Sequence, residues 1–326
     1  MKHTAFSLIR DVKAFTGIKK VREAHFDSAS SAPIKAPAGA VAMGGELHPE
    51  RLTLTVGEKK TAPDGSVALQ LRGDGGRLPV FRPGQYINLL LDGALCPFFL
   101  SGTPADALRG IWEITVDPTG DPTAFALIDA LCEGDELLSG PPVGYFFRQP
   151  PRDGGTCAVI ADGTGLGCAL AMQKNDRASA FLCRGADDLP AKQDIKADTV
   201  FICGKKVFCE SASVAFDGLR TRILFTDAPG RSVGREQFRC TVIAGGETYG
   251  LDCFSDEPII YALERNGVLL FNKCRTGDCA FCRAKLLQGR VTHIFDSGDC
   301  RRNADIKFGF IHPCRAFPDS DVTLKY

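Results

Sequence analysis

The chain has 326 residues, 44% of them hydrophobic, and a formal net charge of zero. That length supports about two or three domains with real cores, and the balanced charge argues against a nucleic-acid or membrane-surface protein. No apolar run approaches the roughly eighteen residues of a membrane span, and Arg10, Asp11 and Lys13 interrupt the N-terminal apolar positions. Membrane insertion and a signal-peptide core are therefore not expected, and the expected location is cytoplasmic.

In chain order, residues 4–26 read as helical, with Phe6, Ile9, Val12 and Phe15 recurring every three residues. This segment is either a helix docked on the next domain or a partner-binding arm. Residues 28–45 are rich in Ser, Ala, Pro and Gly and read as a linker. From about 48 to 148 the pattern turns to short strands: Arg51–Val56, Val67–Arg72, Tyr86–Leu91, Ile111–Val116 and Glu136–Ser139. One helix, Thr123–Cys132, interrupts them, which fits a small antiparallel barrel. Residues 155–228 alternate strands (Cys157–Ala161, Ala180–Cys183, Val200–Cys203, Ile223–Phe225) with helical stretches, the rhythm of a parallel sheet. The segment leaves little room for a full set of crossover helices. Residues 229–236 read as a linker. Beyond them lie a hairpin (Phe238–Ile243, Thr248–Cys253), a helix (Glu257–Asn266) closed by Gly267, and strands Arg283–Leu287 and Val322–Lys325. One helix on a mixed sheet is a β-grasp layout. The expected architecture is multidomain: an N-terminal arm and linker (1–45), an antiparallel β-barrel (46–150), a small parallel α/β domain (151–230) and a β-grasp ferredoxin domain (231–326).

The strongest chemical signal is Lys273–Cys282. Cys274, Cys279 and Cys282 stand in C-x4-C-x2-C spacing, and Cys314 supplies a distant fourth thiol. That is the plant-type ferredoxin arrangement for a 2Fe–2S cluster, in which each iron takes two protein sulfurs. Gly277 permits the tight curl that turns backbone N–H groups toward sulfur. Zinc sites more often pair two close C-x2-C units, and only one tight pair is present. The remaining ten of the fourteen cysteines show no small-domain disulfide spacing, and several, such as Cys157, Cys168 and Cys203, fall in apolar stretches. His293 and His312 read as structural or as supports behind the ligands, because no ligand position is vacant for them. Trp112, on a strand, reads as core.

With these residues laid out, residues 46 to 326 resemble the ferredoxin–NADP reductase superfamily, and within it the phthalate dioxygenase reductase type. The resemblance is carried by Cys274–Cys282, by Phe310-Ile-His-Pro-Cys314, by Arg82-Pro-Gly-Gln-Tyr86 and by Ser139-Gly-Pro through Gly144-Tyr-Phe146. It implies a flavin (FAD or FMN) on the barrel, NAD(P)H on the parallel domain, and hydride transfer followed by single-electron transfer to the cluster and a partner. Phe98, Ser101 and Thr123 would line the flavin site, and Gly163, Thr164 and Gly165 the nucleotide loop. Departures from the family pattern weigh against both sites. Cys96 stands where an Arg would hold the flavin phosphate, and Phe99 where a hydroxyl is usual. Asp121 and Asp162 bring negative charge to the two phosphate segments, and Lys205 replaces a Pro after Cys203-Gly204.

Around the cysteines lie Lys273, Arg275, Arg283, Arg290, Arg301, Arg302, Lys307 and Arg315. This collar either steers an acidic redox partner or is spent on nearby Asp residues. Two functions follow. One is an oxidoreductase relaying electrons between flavin/NAD(P)H and a redox protein partner. The other is a non-catalytic relay or scaffold subunit of a larger redox complex.

Overall fold

The computed structural model describes residues 34–35, 38–149, 153–227, 235–295 and 299–326. The helix expected over 4–26 and most of the 229–236 linker lie outside them. The first described elements are a short strand β1 (Ile34–Lys35) and a helix α1 (Ala38–Leu47), so the second half of the expected 28–45 linker is structured. The reason lies far away in sequence: β1 pairs with β14 (Val268–Leu269), and α1 packs on α6 (Ile259–Arg265), both in the C-terminal domain. Gly44 makes that packing close, since even a Cβ there would meet the Glu264 carbonyl at 2.5 Å.

The barrel follows as β2 (Leu52–Thr61), β3 (Val67–Gly73), β4 (Tyr86–Leu91), β5 (Ala94–Phe99), a one-turn helix α2 (Pro104–Ala107), β6 (Ile111–Val116), helix α3 (Pro122–Ala130) and β7 (Glu136–Ser139). All neighbours in the order β5-β4-β7-β2-β3-β6 are antiparallel. Period-two alternation sends Leu69, Leu71, Trp112 and Ile114 inward, each fully buried. The sheet curls until Leu100, just past β5, bridges Ile114 of β6 and its two outer strands meet. Trp112 is core, as expected, and its indole N–H donates to the Pro79 carbonyl at 3.2 Å.

Strands β8 (Cys157–Ala161), β9 (Ser179–Leu182), β10 (Thr199–Gly204) and β11 (Thr221–Phe225) form a parallel sheet in the order β11-β10-β8-β9. Helix α4 (Leu166–Asp176) covers the face toward the barrel and α5 (Lys206–Ala215) the other. Between β9 and β10 the chain makes two short 3-10 turns in place of a helix, in keeping with the segment's brevity. The C-terminal domain is a mixed sheet, β13-β12-β19-β15-β17, built from β12 (Gln237–Ala244), β13 (Glu247–Phe254), β15 (Ala284–Gln288), β17 (Phe310–Ile311) and β19 (Val322–Lys325). Helix α6 crosses it over Cys240, Val242, Leu251 and Leu324. Strands β16 (Val291–His293) and β18 (Ala316–Pro318) pair beside the sheet, and α7 (Asn303–Lys307) precedes β17. The three-part fold expected from the sequence is thus the fold observed. No helix among the described residues is long and apolar enough to cross a membrane.

Candidate functional site

The loop between β14 and β15 carries Cys274, Cys279 and Cys282, and Cys314 comes from the turn after β17. Arg275, Gly277 and Ala280 all adopt positive φ, with Gly277 at +90°, and this winding turns main-chain donors inward. The N–H groups of Thr276 and Cys279 both donate to Cys274 Sγ at 3.4 Å. Cys282 and Cys314 Sγ lie 3.3 Å apart. The four thiols are thereby arranged two by two, the division a two-iron cluster requires. Among the described residues no three His, Cys, Asp or Glu side chains gather about one ion position. Burial pushes the Cys274 thiol up, but donors from Thr276 and Cys279 outweigh it and hold the group below its ordinary value. Such a thiol is poised to give up its proton to a metal. The donor set and its amides fit a 2Fe–2S group.

The two pairs differ in surroundings. Cys282 and Cys314 are almost wholly buried, in one apolar cluster with Tyr86, Tyr145, Phe147 and Tyr261. Cys274 and Cys279 are half-buried, and beside them Phe281 is 44% and Phe271 61% exposed. These two rings lie 5.2 Å apart, with Lys273 Nζ 5.7 Å from the Phe281 ring. Half of the basic collar is spent. Arg275 forks onto Glu264, Arg283 pairs with Asp305 at 2.9 Å, Arg301 pairs with Asp299, and Arg315 is buried over the Tyr145 ring. Lys273, Arg290, Arg302 and Lys307 remain at the exposed surface. Glu264 is also the partner of His48 at 3.1 Å, and the His48 ring stacks on Tyr261 at 3.8 Å. The segment after α1 therefore braces the cysteine loop through Glu264 and Arg275. His312 is buried 3.7 Å from Asp305.

A second feature is a crevice of about 470 Å³ between the barrel and the parallel sheet. Four of the six residues expected at cofactor sites line it: Phe98, Thr123, Gly163 and Thr164. Ser101 does not. It is fully buried, bonded to Thr115 Oγ1 at 2.8 Å and Glu113 Oε1 at 3.3 Å. Gly165 is buried too, under the Cys203 carbonyl. Sequence reasoning missed Phe225 and gave Lys205 no place in the crevice, yet both line it. Their signal was faint, since Phe225 is one apolar residue at a strand end.

The two segments read as phosphate binders are already satisfied from within. Asp121 caps α3: its Oδ1 accepts from the N–H of Thr123 at 3.0 Å and of Ala124 at 3.1 Å. Asp162 Oδ1 accepts from the Thr164 N–H at 2.8 Å and its hydroxyl, and Oδ2 accepts from the Lys205 N–H at 2.8 Å. The segments also touch. A Cβ on Gly163 would lie 2.9 Å from Gly120 N and 2.7 Å from Thr119 Oγ1. At the position where an Arg would pair with phosphate, the Cys96 thiol is pushed up by burial and then by Asp121. These residues do not fit the phosphate of a flavin nucleotide or the pyrophosphate of a dinucleotide.

Residues 242–319 match the family model described as the 2Fe-2S iron-sulfur cluster binding domain. The propane 2-monooxygenase reductase component of Mycolicibacterium goodii is 32% identical over 75 residues, 23% of this chain and 22% of that protein. The chain thus covers about a fifth of that relative. The phthalate 4,5-dioxygenase oxygenase reductase subunit of Pseudomonas putida is 23% identical over 259 residues, 66% of this chain and 79% of that protein. Among solved structures, phthalate dioxygenase reductase is similar at 19% identity and a TM-score of 0.43, covering 85% of this chain and 98% of that one.

Proposed function

We propose that this chain, which carries a C-terminal 2Fe-2S domain and is similar to phthalate dioxygenase reductase-type proteins, relays single electrons to or from a redox protein partner. The observation that carries this reading is the two-by-two gathering of Cys274 with Cys279 and of Cys282 with Cys314, with main-chain N–H groups aimed at sulfur. When bound, a 2Fe–2S group takes up or gives up one electron at a time. The protein's part is to hold the thiolates and bias their field. Donors from Thr276 and Cys279 stabilise negative charge on Cys274, and the aromatic wall of Tyr86, Tyr145 and Tyr261 keeps water from the inner pair.

The outer pair faces the partner. Phe271 and Phe281 offer exposed aromatic surface beside it, and Lys273 supplies positive charge at its edge. Such a patch suits a partner that presents an acidic rim. The relatives' names place them as reductase components of oxygenases, and the same partner class is proposed here. A second reading, a relay or scaffold subunit without its own flavin and nucleotide chemistry, is favoured by the Asp121 and Asp162 caps.

The test is anaerobic purification with iron and acid-labile sulfide analysis and electron paramagnetic resonance after dithionite reduction. Two irons and two sulfides per chain with a one-electron signal are expected. One zinc per chain without sulfide overturns the proposal.

A further inference from the structure

The crevice between barrel and parallel sheet borders the cluster of Cys282 and Cys314 through Tyr86 and Phe99, but holds none of the four cysteines, and its chemistry goes beyond the relay reading. A helix N-terminus opening on a crevice attracts anions, because its first N–H groups lack partners and carry partial positive charge. Two such sets of donors face this crevice, one at the start of α3 and one made by the turn before α4 together with Lys205, the residue that opens α5. In both, the anion is already there and belongs to the protein. Asp121 takes the Thr123 and Ala124 N–H groups, and Asp162 takes those of Thr164 and Lys205. An incoming phosphate would have to displace a covalently tethered carboxylate from each set. It would then face Asp117 and Asp227, which also line the crevice, against Lys205 as the one cationic side chain there among the described residues.

The rest of the wall is aromatic and apolar. Tyr86, Leu95, Phe98, Phe99 and Phe225 line it, and the Phe99 ring meets Tyr86 edge-on at 6.0 Å. A space of about 470 Å³ is in the range of small-molecule pockets. Planar rings gain from such walls through area and quadrupole complementarity, with no call on the occupied N–H groups.

We infer that Asp121 and Asp162 act as built-in substitutes for cofactor phosphates, so that the crevice takes an uncharged planar aromatic ligand and rejects its phosphorylated counterparts.

The probes are riboflavin, FMN and NADH, titrated into the full-length protein and followed by flavin or nicotinamide fluorescence. Riboflavin is expected to bind at least about tenfold tighter than FMN, the scale of one displaced charge-assisted hydrogen bond, and NADH to show no saturation. Asp121→Ser keeps a helix cap but removes the charge, and Asp162→Asn keeps the size of its side chain. Each is expected to narrow the riboflavin-to-FMN ratio, and both together to bring it near one. Cluster absorption and thermal melting of each variant report folding independently. If a variant fails to fold, the wild-type ratio still decides. FMN binding as tight as riboflavin, saturable NADH binding, a ratio unmoved in folded variants, or no riboflavin binding each overturns the inference. None of these outcomes touches the iron and sulfide content on which the relay reading rests.

Discussion

The cysteine loop and the crevice are built from the same material and reach opposite ends. Each uses glycine-bearing turns to aim backbone N–H groups at a negative centre. In the loop, the positive φ of Gly277, Arg275 and Ala280 leaves the N–H groups of Thr276 and Cys279 directed at a thiol. In the crevice, the corresponding donors are consumed by Asp121 and Asp162. In the loop the host side chain that takes the donors, Cys274, is itself the group a cluster would use, whereas in the crevice the carboxylates stand where a guest's phosphate would sit. One acidic residue at the right offset is enough to close such a site.

The contrast breaks most completely at the thiols. Cys314→Ser replaces a buried thiol, proposed above as a ligand, with a poorer donor, and the chain is expected to lose its iron and sulfide altogether. Riboflavin binding at the crevice should persist, with elemental analysis and fluorescence as the two readouts. A change in Gly277 comes next. A Cβ there would sit at φ +90° and 2.7 Å from the Phe295 ring, so Gly277→Ala should cost about 1–3 kcal/mol of strain and lower cluster content measurably. Its counterpart, Gly163→Ala, should cost a similar 1–3 kcal/mol through overpacking against Gly120. Urea melts would show that loss while the visible cluster spectrum stays unchanged. A shift in the cluster spectrum would mean that the change is passed on through Tyr86 and Phe99, which border both regions.

The smallest effect on stability is expected at the outer surface. Phe281→Ala removes a ring that is 44% exposed, and such surface changes usually lie within about 0.5 kcal/mol. Electron transfer to an oxygenase-type partner should nevertheless slow severalfold, read as a higher KM with cluster content intact. A separate check is the buried pair of Arg265 with Glu257, whose carboxylate is fully buried. Arg265→Ala strands that charge at about 3–5 kcal/mol. Thermal melting should show the C-terminal domain weakened, with α1 released, because Arg265 also donates to the His48 carbonyl.

Much of the cysteine loop could be read in the chain because its logic is local. Three of four cysteines lie within nine residues, and the turn they need is announced by Gly277. The barrel strands and β8 and β10 were equally readable from alternation and from short apolar runs. The segment 28–45 was not: its small residues resemble a linker, and only packing on α6 makes residues 38–47 a helix. Strand β5 was hidden because Cys96-Pro97 breaks a strand pattern, although Pro97 sits at a sheet edge where its missing N–H costs little. The basic collar could be counted in the sequence, but which of its members were neutralised could not.

Sequence alone singled out four cysteines as the proposed donors for a cluster, and determined the three-part architecture and the presence of acidic residues in two turns that elsewhere greet phosphate. Tertiary structure decided where those carboxylates point, that Gly120 and Gly163 close on one another, and that Glu264 links His48 to Arg275. The physical reason is range. Winding a loop around sulfur depends on neighbours a few bonds away, whereas filling or leaving a crevice depends on two domains that meet only once the chain has folded.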